Sequence, residues 1–527
     1  MNPMPDPTFS PEALAAACGR IREPMHVLRE LYPGEQAATG RIGVSFASPD
    51  PSQGAWLGTL PPLYPEWLGD RSFCEDHGTR FAYCTGAMAN GIATVEVVIA
   101  ASRAGCLGFF GAAGLLPDRV ATAVDRLVAE LGEAPFGVNL IHSPQEPAVE
   151  AAVADLLVAK GVRTVEASAF VRITQPVVRY AAAGLHRGAN GEIVRRNRIV
   201  AKVSRPEVAR HYLMPAPAAM LDALVREGKL SPMEADLARH IPVADDVTVE
   251  ADSGGHTDNQ PLVAMFPVIV ELARTIAREQ GYARVPRVGA AGGIGTPMSV
   301  AAAFGMGAAY VLTGSVNQSA IEAGVAPAAK AMLARAAIAD VAMAPAADMF
   351  EMGVEVQVLR RGTMFAARAL KLRELYLRCA SLEALPAEDR VKLEREVFHG
   401  SLDEIWAQTA AFFAARDPHQ LAKAETDPKH RMALVFRWYL GKASRWAIDG
   451  DPSRVMDFQL WCGPAMGAFN DWVKGSFLEP PEARTVGQIA LNLLEGAAVI
   501  TRAGQLRTFG APVPAGAFDY RPVPLSL

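Results

Sequence analysis

The chain has 527 residues, half of them hydrophobic and one fifth charged, with a net charge of −5. That length calls for two or more structural units around a large interior. The mild acidity excludes a global attraction to nucleic acid, and the basic stretches lack the alternating aromatics of a nucleic-acid sheet. Cys18, Cys74, Cys84, Cys106, Cys379 and Cys462 form no Cys-x-x-Cys and no paired Cys/His spacing, so reduced thiols are expected and no metal role is called for. The first residues show no basic stretch followed by an apolar run, and apolar runs elsewhere are too short or too charged for a bilayer span. The expectation is a soluble, cytoplasmic chain with no membrane partner.

Residues 1–79 are punctuated by proline and glycine and read as an N-terminal appendage, with a helix at 11–18 capped by Ser10. From residue 80 the pattern becomes an alternation of strand and helix. Strands are expected at 81–88, 106–110, 136–141, 164–167, 199–203, 248–252, 288–291 and 310–313. Helices are expected at 92–104, 117–131, 146–160, 176–183 and 261–280, with more helix between 203 and 240 and one starting at Pro297 behind Thr296. Eight consecutive strand–helix units predict an α/β fold of the (β/α)8 TIM-barrel type over 80–378 with its extension. An open doubly wound sheet is the alternative. Gly292-Gly293-Ile294-Gly295 is not the Gly-x-Gly-x-x-Gly fingerprint, which argues against a dinucleotide-binding domain. Residues 379–475 read as a mostly helical subdomain rich in Trp, Phe and Arg, suited to a cap or a homodimer surface. Residues 476–527 read as a tail containing one helix.

Chemistry in such a barrel sits in the loops that follow the strands. Gly292-Gly293 and Gly314-Ser315, after the seventh and eighth strands, leave backbone N–H groups free to hold a phosphate. Glycines there also serve tight strand–helix packing. Ala87, Met88, Ala89 and Asn90, after the first strand, are small enough to lay backbone against a flat ring. Asn139 and Lys202 interrupt apolar strands and need polar partners, either the edge of a flavin or, for Lys202, a plain ion pair. After the sixth strand the chain breaks into Ser253, Gly254 and Gly255 and delivers His256. By itself that histidine suits a turn or core as well as a catalytic site.

Val-Glu-Ala-Asp-Ser-Gly-Gly-His at 249–256, Gly-Val-Asn-Leu at 137–140 and Ala-Gly-Gly-Ile at 291–294 resemble the FMN-dependent nitronate monooxygenase superfamily. That superfamily has Glu-Ala-Gly-Gly-His where this chain has Asp252-Ser253-Gly254-Gly255-His256. The segments at 58–70, 361–369 and 461–470 resemble one branch, the trans-acting enoyl reductases of polyunsaturated fatty acid and polyketide synthases. The resemblance implies FMN reduced by NADPH, and hydride transfer to an enoyl thioester on an acyl carrier protein presented by a megasynthase. It places His256 as the active-site histidine, lining the flavin pocket and able to deliver a proton or bond the thioester oxygen. Water or Tyr180 are the other candidate donors. Basic clusters at 187–205 and 360–378 are candidates for docking the acidic carrier protein, or ordinary solvated faces. A nitronate-oxidising flavoenzyme and a non-catalytic carrier-binding scaffold are the rival readings.

Overall fold

The structure, a computed structural model, describes residues 7–30, 40–48, 54–144 and 146–526. Residues 1–6, on which the reading of a missing leader rests, lie outside the described residues. Eight parallel strands close into a barrel: β1 (Tyr83–Thr85), β2 (Leu107–Phe110), β3 (Gly137–Ile141), β4 (Thr164–Ser168), β5 (Arg198–Val203), β6 (Asp246–Glu250), β7 (Arg287–Ala291) and β8 (Val311–Thr313). Each pairs with the next, and β8 returns to β1 through Val311↔Tyr83, Leu312↔Cys84 and Thr313↔Thr85, so the sheet has no edge. The strands read as apolar runs because helices cover one face and the packed lumen the other.

Two strands differ from expectation by more than one residue. β1 is shorter, because Gly86 and Ala87 already leave the ladder for the loop. β6 begins earlier, at Asp246, which the sequence presents as an acid leading into the strand. Asp246 is fully buried, with Arg287 Nε 2.6 Å from its Oδ1 and His77 Nε2 2.9 Å from its Oδ2. Helix Arg71–His77 lies across this N-terminal end of the barrel. Its Phe73 stacks on Tyr310 at 4.4 Å, and Arg287 also reaches Asp76 at 2.7 Å. Charge and aromatic packing together seal the floor.

Outer helices follow the first seven strands. Val95–Arg103 starts at Thr94, whose side chain accepts from the Val97 N–H. Pro297–Gly305 starts at Thr296 in a reciprocal capping arrangement with Ser299. After β8 there is only the single turn Ser315–Gln318. The eighth outer position is filled from the far end of the chain by Val486–Thr508, which packs against Pro297–Gly305 and Val95–Arg103. Gly496 permits the approach, since a Cβ there would lie 2.7 Å from the Pro297 ring. The stretch that reads as a tail is therefore part of the barrel wall.

Between Gln318 and Val486 the chain makes a long excursion over the mouth of the barrel. It contains the hairpin Val341–Pro345/Glu355–Leu359, helices Phe365–Arg378, Leu402–Arg416, Pro428–Asp449 and Pro464–Val473, and a hydrophobic core of its own. That core runs from Ala344 through Phe350, Val358 and Phe365 to Ala443. It thus begins in the hairpin, ahead of the composition change at 379. The N-terminal part adds helix Pro11–Cys18 and an antiparallel sheet, Met25–Arg29 flanked by Ile42–Ser45 and Ala55–Leu60. Buried Arg502 ties it to the barrel by donating to the carbonyls of Ile21 and Pro61. Among the described residues no helix is long and apolar enough to cross a membrane.

Candidate active site

The C-terminal ends of β4, β5 and β6 each place one charged side chain at the barrel mouth. Lys202 Nζ lies 2.8 Å from Glu250 Oε1 and 3.7 Å from Glu166 Oε1. Burial disfavours an ammonium here, but the two carboxylates outweigh it and raise the lysine's pKa. Glu166 is wholly buried, which pushes its carboxyl up against the opposing pull of Lys202. Its Oε2 accepts the Ala87 N–H at 3.1 Å, fixing the loop after β1 to the floor of the site. Lys202 is thus an ion-paired residue of the site, and Glu166 and Glu250 are partners that the sequence reading missed. A glutamate between Val165 and Ala167 in a buried strand was the available signal.

The loop after β1 holds Ala87, Met88, Ala89 and Asn90, all half-buried. It rests on the loop after β2, where a Cβ at Gly111 would overlap the Met88 carbonyl oxygen. Asn90 adopts a left-handed φ of 59° and its amide donates to Ser444 Oγ at 3.4 Å, in the helical unit. Asn139, by contrast, donates its amide N–H groups to the Glu166 carbonyl and to Ser168 Oγ, at 3.0 and 2.6 Å. It braces β3 against β4.

Beyond β6, Gly255–His256 forms a short strand paired antiparallel with the excursion hairpin, Gly255↔Gln357 and His256↔Val356. The sequence reads this stretch as a free loop. Gln357 Nε2 donates to Asp252 Oδ1 and to the Ser253 carbonyl, at 2.5 and 2.8 Å. Ser253 Oγ reaches back to Glu250 at 3.3 Å. Gly254 lies against Cys462, where a Cβ would sit 2.8 Å from the backbone nitrogen. His256 Nε2 is sheltered, makes no hydrogen bond, and lies 3.5 Å from Asp348 Oδ1. Burial works against a charged ring, but Asp348, with Glu250 behind it, outweighs burial and the opposing Lys202, so the imidazole's pKa is raised.

The loops after β7 and β8 complete the mouth. Gly292, at φ 84°, is packed, since a Cβ would meet the Ala251 backbone at 2.6 Å. Gly293 and Gly314 face open space. Ser315 Oγ accepts the Gly463 N–H at 3.1 Å, and Gly463 caps helix Pro464–Val473. Gly254, Gly463 and Ser315 are therefore brought together, next to Gly314. The open backbone at Gly293 and Gly314 and the small residues after β1 leave room for a phosphate beside a flat ring.

The sequence profile of the nitronate monooxygenase family matches residues 77–400, more than half of the chain. The chain belongs to the nitronate monooxygenase family. With that membership it is an oxidoreductase. A second profile, described as the inserted helical domain of [acyl-carrier-protein] S-malonyltransferase, matches residues 379–458. The chain is 49% identical over 448 residues to a polyunsaturated fatty acid synthase subunit of Thraustochytrium sp., covering 84% of this chain and 30% of that protein. It is 45% identical over 436 residues to the polyketide biosynthesis protein PksE of Bacillus subtilis, covering 82% and 56%. The chain thus spans about half or less of the length of these relatives. The crystal structure of the enoyl reductase domain of MlnA from the macrolactin cluster of Bacillus amyloliquefaciens is similar at a TM-score of 0.80 and 38% identity, over 84% of this chain and 99% of that one.

One sequence reading does not survive in the structure. Tyr180 is fully buried in outer helix Gln175–Ala182 and donates to the Val162 carbonyl, which removes it as a proton donor. Several arginines of the basic clusters are paired with acids within the chain. Arg361, Arg368 and Arg378 pair with Asp340, Asp457 and Asp389. Arg195 and Arg198 pair with Asp245, and Arg205 with Asp258.

Proposed function

We propose that this chain is an FMN-dependent enoyl reductase that uses NADPH and acts in trans on 2-enoyl thioesters carried by an acyl carrier protein, in polyketide or polyunsaturated fatty acid synthesis. The observation that carries this reading is the likeness, over 84% of this chain, to an enoyl reductase domain. The match of the helical unit to a domain inserted in a carrier-protein transferase supports the choice of a carrier-bound substrate.

The chemistry supplied by bound FMN is hydride transfer from NADPH to the β-carbon of the enoyl thioester. The chain's own groups bind, orient and move the proton. Backbone N–H groups around Gly293 and Gly314 would hold the phosphate, and Ala87–Asn90 would line the ring, with Ala87 fixed by Glu166. Hydride addition at the β-carbon moves the π electrons toward the α-carbon and thioester oxygen. His256, held toward its charged form, donates its Nε2 proton to the α-carbon and is reprotonated from solvent. Because Nε2 makes no hydrogen bond, the proton is available to substrate.

The test is to purify the chain, record its visible spectrum, and mix it anaerobically with NADPH and then with an enoyl carrier-protein substrate. Flavin that is bleached by NADPH and reoxidised by the enoyl thioester supports the reading. Absence of flavin after FMN is supplied, or flavin that NADPH does not reduce but that turns over nitronates in air, overturns it.

A further inference from the structure

His256 belongs to the barrel, but its carboxylate neighbour does not. Asp348 sits in the turn, residues 346–354, between the two strands of the excursion hairpin. That turn is anchored in the helical unit at three points. Phe350 is fully buried, with its ring 5.0 Å from Tyr376 and 6.4 Å from Phe436. Arg373 donates to the Phe350 carbonyl at 3.1 Å. Arg437, on helix Pro428–Asp449, donates to Glu351 at 3.2 Å. The following strand fixes the histidine backbone through His256↔Val356. One hairpin therefore delivers both the strand that registers His256 and the carboxylate beside its Nε2.

The charged groups facing the ring are few. Glu250 and Lys202 approach from β6 and β5 as a compensated pair. Asp252 is turned to Gln357. Asp348 is the one remaining carboxylate at the ring among the described residues, and at 3.5 Å without a hydrogen bond it stabilises positive charge without capturing the proton. We propose that Asp348 is the positioning residue that keeps His256 protonated, so that the helical unit, through its hairpin, sets the acid–base state of the barrel's histidine. This rests on the reductase reading only for its consequence in turnover.

Asp348 is more than half exposed, at 56% of its side chain, so solvent and salt weaken the coupling. The expected effect is at the low end of that for a close charge pair, about one pH unit.

The experiment compares Asp348→Asn with the parent in the FMN-supplemented full-length chain. The His256 ring is titrated by 15N-histidine NMR, with His256→Ala used to assign its signals, and kcat/KM for enoyl reduction is followed across pH. Asp348→Asn should lower the His256 midpoint by about one pH unit and lower kcat/KM about tenfold above that midpoint. Asp348→Glu should restore both toward the parent. An unmoved midpoint in a variant that melts like the parent overturns the proposal. A lowered midpoint in a chain that reduces no enoyl thioester keeps the proposal and overturns the reductase reading, so the two failures are distinguishable.

Discussion

Lys202 and Glu250, from adjacent strands of the barrel, meet at 2.8 Å beneath the mouth, with the buried Glu166 carboxylate on the other side of the ammonium. A single cation offsets two carboxylates in a site sheltered from water. Removing it leaves uncompensated charge, and breaking such a buried group costs more than the pair's net contribution.

Lys202→Met is expected to destabilise the chain by about 3–5 kcal/mol in urea unfolding. Adding Glu166→Gln and Glu250→Gln should recover part of the loss, because the charges that needed the lysine are gone. Equal stability of the single variant and the parent would show that the cluster is well solvated.

One open glycine and one packed glycine separate cofactor effects from folding effects. Gly314 has φ −117°, ordinary for any L-residue, and a Cβ there meets nothing. Gly314→Ala should therefore melt like the parent without FMN yet retain less FMN after gel filtration. Gly292→Ala should instead lower the melting temperature itself, since φ is 84° and the Cβ runs into Ala251. Identical FMN retention in Gly314→Ala and the parent would remove the loop after β8 from the phosphate site.

Much of this arrangement is legible in the chain. The eight alternations predict the barrel, and Gly293 and Gly314, though not Gly292, fall where open backbone is found. What escapes the sequence is contact across long separations. Asp348 reaches His256 only because a hairpin from the excursion folds back over the mouth. Asp340, Asp389 and Asp457 pair with arginines that look like a basic patch when residues 360–378 are read alone. Glu166 escaped for another reason: a strand buried on both faces hides an acid among aliphatic neighbours unless every polar interruption is followed up.

The barrel floor makes a pH prediction. Burial opposes ionisation of Asp246, yet His77 and Arg287 hold its carboxyl well below the usual range. A folded pKa depressed below the unfolded one contributes stability that is complete above about pH 4 and is lost as pH falls toward the folded value. Asp246→Asn should cost about 3–5 kcal/mol at pH 7, with the gap from the parent narrowing below about pH 4. Urea titrations at pH 7 and pH 3 check it; the same gap at both would mean the carboxylate is not what the floor depends on.

The closing helix makes the last. Val486–Thr508 buries Ile489, Leu493, Leu494, Ala497 and Ala503 completely, between the helices that follow β7 and β1. A chain ended at 475 would expose that seam and the apolar sides of Pro297–Gly305 and Val95–Arg103, and each large aliphatic side chain left in water costs about 1.5–3 kcal/mol. Such a truncation should be insoluble or melt without cooperativity, even though every strand of the barrel and the whole helical unit remain. Co-expression of residues 476–527 as a separate piece should return soluble, cooperatively melting protein, because the helix needs only to dock in the open position. Differential scanning calorimetry distinguishes the cases, and a truncated chain that melts at the parent temperature would mean that the helix merely decorates a barrel already stable without it.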